Sequence, residues 1–140
     1  MGRSYWEELA RNLAEYIQDE IHDAQYYRAL AERAPTAETK RIFMELAEDE
    51  AGHAAGFKEA YYCLTGRSYE EKKMPPPAVP GYREALAERL RAETNDYKKY
   101  GLAFLHAGDP YLRELFFSTR TDEAIHAIRI AALLPEEGPD

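Results

Sequence analysis

The sequence contains a single cysteine, Cys63, among its 140 residues. One thiol excludes an internal disulfide and any Cys-x-x-Cys metal or redox centre, and Cys63 is expected as a small buried apolar group. No apolar run approaches the length of about 20 residues that a membrane-spanning helix needs. The stretch from Met1 to Glu8 lacks the apolar core of a signal peptide. Positive charge is also in short supply, with 18 Lys and Arg against 26 Asp and Glu and a net charge of −8. Nucleic-acid binding draws on phosphate neutralisation, so nucleic acid is not an expected partner. These absences together predict a cytoplasmic protein with no membrane association. Proline is scarce except between residues 67 and 80, which hold four of the eight prolines, including Pro75-Pro76-Pro77. That stretch cannot be helix. The remainder is dominated by Ala, Leu, Glu and Arg, which favour helix, in a length suited to one domain.

What is present is a repeated phrase: Asp49-Glu50-Ala51-Gly52-His53 and Asp122-Glu123-Ala124-Ile125-His126. A Glu and a His three residues apart share one face of a helix and can grip one metal ion. The two copies are 73 residues apart, and the same offset matches Glu20 with Glu93 and Tyr27 with Tyr100. Midway between Glu20 and Glu50 lies Pro35, and midway between Glu93 and Glu123 lies Gly108, both in turn-forming sequence. If each half is a helical hairpin, its two Glu residues sit equally far from the turn, roughly 22 Å at the helical rise, and face each other at one height.

The hydrophobic spacing predicts four helices. The first runs over about 4–33, capped by Ser4, with Leu9, Leu13, Ile17, Glu20, Ala24, Tyr27 and Ala31 facing inward. The second opens at Thr36 and ends at Gly66, with Phe43, Leu46, Glu50, His53, Phe57, Ala60 and Leu64 inward. The third, about 82–106, presents Leu86, Leu90, Glu93, Tyr97, Tyr100 and Phe104. The fourth runs from Pro110, behind the cap Asp109, to Leu134 and presents Leu112, Phe116, Thr119, Glu123, His126, Ile130 and Leu133. About 15 residues over 66–81 reach roughly 50 Å when extended, enough to run the length of a helix of roughly 40 Å. The expected fold is therefore all-α: a ferritin-like four-helix bundle over 1–134, two antiparallel hairpins joined by a long crossover, with 135–140 a flexible acidic tail. The crossover also permits hairpin exchange between subunits, and a homodimer is expected.

Buried carboxylates are costly unless paired, so four Glu residues on inward stripes demand a partner. Two divalent ions carry +4 against the −4 of Glu20, Glu50, Glu93 and Glu123, with His53 and His126 neutral. The absence of thiolates favours hard or borderline metals, Fe or Mn, with Zn on mis-loading. His22 is expected on the surface, and His106 as a last-turn cap interaction. Among eleven tyrosines, only Tyr27 and Tyr100 recur at site-facing positions in both halves.

In the order Glu20, Tyr27, Glu50-x-x-His53, Glu93, Tyr100 and Glu123-x-x-His126, the chain resembles the rubrerythrin-like branch of the ferritin-like superfamily. The resemblance implies a di-iron centre, or a di-manganese or mixed one, with Glu50 and Glu123 bridging and Glu20 and Glu93 terminal. His53 and His126 would each give one nitrogen. Rubrerythrins carry a further Glu three residues past the third-helix ligand, where this chain has Asp96. The four cysteines of a rubredoxin domain are missing, so electrons for reducing peroxide or dioxygen would come from an external, rubredoxin-like donor. Competing readings are a ferroxidase or iron-storage protein, a di-iron oxygenase acting on an organic substrate, and a bundle stapled by a purely structural metal.

Overall fold

The computed structural model describes residues 4–135, so the tail expected at 135–140 lies, past Pro135, outside the described residues. Four helices make up the described chain: α1 (Tyr5–Glu32), α2 (Ala37–Thr65), α3 (Tyr82–His106) and α4 (Pro110–Leu133). No strand occurs among the described residues. Local chemistry sets the helix ends. Ser4 Oγ accepts from the Glu7 amide at 3.1 Å and Thr36 Oγ1 accepts from the Thr39 amide at 3.0 Å. Asp109 Oδ2 accepts from the Leu112 amide at 3.3 Å, with Pro110 at the first helical position. Gly66 closes α2 in the left-handed region at φ 74°, where a side chain would be strained, and its N–H donates to Tyr62 O.

The chain divides into two compact units, at Ala78 and Val79. In the first, α1 and α2 form an antiparallel hairpin over the short turn at 33–36. Residue i of α1 lies level with residue 70 − i of α2. Tyr27 and Phe43 obey this rule, their rings stacked with centroids 6.3 Å apart and planes at 17°. Leu13, Ile17, Leu30, Phe43, Leu46 and Phe57 are fully buried. The segment following α2 returns along this hairpin: Tyr69 donates to Gln18 Oε1 at 2.5 Å, packs edge-on against Tyr61, and Lys58 pairs with Glu71. Partial burial, reinforced by the Glu71 carboxylate, raises the Tyr69 phenol above its ordinary pKa.

In the second unit, α3 and α4 are joined over Ala107-Gly108-Asp109. The loop is pinned by Arg113, which donates to the carbonyls of Phe104 and Ala107 and lies 4.1 Å over the Phe104 ring. All seven inward positions expected on α4 are buried. The α3 stripe is a correction. Tyr97 points outward, with the Arg120 guanidinium 4.0 Å over its ring, and Leu90 and Phe104 are only half-buried. The buried positions are Ala85, Leu86, Arg89, Glu93 and Tyr100. Spacing alone favoured Leu90 over its neighbour because arginine is seldom buried. A second correction concerns Cys63, which is exposed near the end of α2. His22 is exposed as expected, and His106 Nδ1 donates to Leu102 O at 2.9 Å in the last turn of α3.

Candidate metal centre

Each hairpin gathers one carboxylate from its first helix and a Glu-x-x-His pair from its second. In the first, Nδ1 of His53 stands 2.8 Å from Glu20 Oε1 and 3.0 Å from Glu50 Oε1. In the second, Nδ1 of His126 stands 3.1 Å from Glu93 Oε2 and 3.4 Å from Glu123 Oε1. Within each triad all three candidate donor atoms lie within 4.8 Å of one another. All six side chains are buried, the four carboxylates completely. The register explains the meeting: Glu20 with Glu50 obeys the same rule as Tyr27 with Phe43. The offset of 73 reproduces the arrangement in the second hairpin, down to the caps Thr36 and Asp109.

The donor set suits a cation. Two donors each about 2.1 Å from one ion and at right angles to each other are about 3 Å apart. The observed nitrogen-to-oxygen separations of 2.8 to 3.4 Å match such an edge. Both imidazoles turn Nδ1 toward their carboxylates. Oxygen and imidazole donors without sulfur select hard to borderline metals.

Tyr27 and Tyr100 are fully buried, each seven residues beyond the first carboxylate of its hairpin. The Lys99 ammonium lies 4.7 Å from the centre of the Tyr100 ring. Lys99 also holds the half-buried Asp96, at 3.3 Å from its Oδ1. Two residues escaped the sequence reading. Asp23 is buried one turn after Glu20, with oxygens of the two within 4.8 Å, and His22 Nδ1 lies 3.3 Å from its Oδ1. It is the counterpart of Asp96 at the offset of 73, which would have revealed it. Arg89, one turn before Glu93, is buried with its Nη2 3.9 Å from Glu93 Oε2.

Helical hairpins with inward carboxylate and Glu-x-x-His sets define a ferritin-like carboxylate protein whose buried cluster is compatible with a di-metal site. A family model for rubrerythrin matches residues 11–134. The chain belongs to the rubrerythrin family. It is similar to an uncharacterised protein, YhjR, of Bacillus subtilis, with 27% identity over 120 residues, covering 86% of this chain and 82% of the relative. A solved structure of a hypothetical protein from Pyrococcus furiosus shares the fold, with a TM-score of 0.81 at 21% identity, covering 91% of this chain and 88% of that one. No helix among the described residues is long and apolar enough to cross a membrane.

Proposed function

We propose that this chain is a di-metal redox protein that reduces peroxide or dioxygen with electrons from a separate donor. The observation that carries this reading is the doubled triad, in which each hairpin brings one imidazole Nδ1 and two buried carboxylates close together. One ion is assigned to each triad, with Glu20, Glu50 and His53 as donors in the first and Glu93, Glu123 and His126 in the second. Iron is the proposed metal; manganese or a mixed pair fits the same donors, and zinc would load without redox activity. When bound, the metal pair supplies the store of two electrons that the reduction consumes.

The protein's own contribution is binding, charge balance and proton placement. Four buried carboxylates set against two divalent ions leave no net charge to desolvate. The donors are themselves shut off from bulk water, the four carboxylates being 0% exposed, and the same helices bury Ile17, Leu46 and Phe57 in the first hairpin and Phe116 and Ile130 in the second. Tyr27 and Tyr100 are proposed as hydrogen-bond donors that deliver protons as reduction proceeds. The single cysteine of this sequence cannot build a four-cysteine electron carrier, and a rubredoxin-like protein is the proposed donor.

The test is anaerobic loading with Fe(II) followed by peroxide. Oxidation of two irons per chain, faster than free Fe(II) under the same conditions, is expected. No oxidation, or none faster than free Fe(II), would overturn the reductase reading. Uptake of many irons per chain by a large hollow oligomer would instead assign the protein to iron storage.

A further inference from the structure

Arg89 is buried where arginine is costly, and its position gives that cost a purpose. The side chain is 4% exposed, and the Glu93 it approaches is 0% exposed. Its Nη2 lies 3.9 Å from Glu93 Oε2, the same oxygen that stands 3.1 Å from His126 Nδ1. A guanidinium and the donor nitrogen of the triad thus converge on one carboxylate oxygen. A guanidinium cannot shed its proton, so this positive charge is permanent.

The hairpin architecture does not require a cation at that position. At the offset of 73, the first hairpin has Tyr16, a neutral residue that packs against Phe57 with ring centroids 5.7 Å apart. With Tyr16 in place, Glu20, Glu50 and His53 still converge. The buried cation is therefore a feature of the second hairpin that the first does without.

A fixed positive charge beside a ligand carboxylate acts in opposite directions on the two states of the protein. Before metal binds, it offsets the repulsion between buried carboxylates. Once a divalent cation arrives, the same charge repels it and competes for Glu93. We propose that Arg89 is an internal counter-ion: it stabilises the metal-free protein and weakens cation binding at the Glu93–Glu123–His126 triad. This rests on the di-metal reading above. Arg89 is a positioning and charge-setting residue, and not a ligand.

The test uses the full chain, stripped of metal with a chelator, as wild type, Arg89→Met and Arg89→Lys. Thermal unfolding of the metal-free protein and Co(II) binding, followed by absorption and chelator competition, are read for each. In Arg89→Met, the metal-free protein should melt lower and the weaker of the two Co(II) steps should tighten by at least about tenfold, a floor set well below the full Coulomb interaction of a charge this close. Arg89→Lys, which keeps the charge, should stay close to wild type in both. If Arg89→Met folds only when Co(II) is added, the proposal is supported. Co(II) affinity that is unchanged or weaker in Arg89→Met, an unchanged metal-free melting temperature, or failure to fold even with Co(II) would overturn it. If wild type binds no Co(II), the di-metal reading itself fails. Two ions bound with no response to Arg89→Met would sink only the role of the arginine.

Discussion

Assigning one ion to each hairpin makes a quantitative demand on stability. A ligand that binds only the folded protein stabilises it by about 2.7 kcal/mol at a hundredfold excess over its dissociation constant. Two such ions give about 5.4 kcal/mol, and at about 4 °C per kcal/mol for a chain of this size the melting temperature should rise by about 20 °C. Each triad has three candidate donors, and His53 or His126 is one of the three. Even outer-shell partners of metal ligands are worth 10- to 100-fold in affinity, so loss of a direct donor should cost at least about 100-fold. At the same metal concentration the damaged position then contributes only about 0.4 kcal/mol. His53→Gln and His126→Gln should therefore each keep a little over half of the wild-type increment, and the double variant should keep almost none. The assay is differential scanning fluorimetry with Mn(II) against chelator, with metal counted by elemental analysis. If either single substitution abolishes the whole increment, the ions are not held one per hairpin. If neither changes it, the histidines are not donors.

Three further outcomes follow from the same geometry. Tyr27→Phe and Tyr100→Phe should retain both metals while slowing peroxide consumption in stopped-flow measurements; loss of metal would assign these hydroxyls to binding. Leu13, fully buried in the first hairpin, should cost about 2–5 kcal/mol on replacement by Ala, read in denaturant unfolding. Because the folded-state pKa of Tyr69 is raised, its neutral form is favoured by folding, and that stabilisation holds below the unfolded value of about 10 and is lost as pH rises through the folded value. Proteolysis of the 66–81 connection should accordingly accelerate above about pH 10 in wild type, and much less in Tyr69→Phe.

Much of this architecture was legible because function forced conspicuous residues into a repeated pattern. The four helix spans, the caps Ser4, Thr36 and Asp109 and the left-handed Gly66 follow from local chemistry that tertiary context did not override. The pairing of Glu20 with Glu50, and of Glu93 with Glu123, followed from equal distances to a turn. The α3 face was misjudged where an amphipathic choice had to be made. Tyr97 has a polar end and an aromatic body, and a cation from α4 satisfied the ring outside the core. Arg89 was passed over for the complementary reason: burying it makes sense only beside a carboxylate that must itself be buried. Cys63 carried no pattern to place it, and composition alone misled.

The hairpin plan has a consequence for the order in which the protein is made. The three donors of the first triad, Glu20, Glu50 and His53, span only 33 residues, and so do those of the second. Contacts this local form quickly, and long-range chain closure is not needed to bring them together. In the growing chain the three donors of the first triad are synthesised before Glu93, which follows His53 by 40 residues. If the triads hold metal as proposed, the first is complete in sequence before the second begins, and the hairpin whose Glu93 is partnered by Arg89 is the one made last.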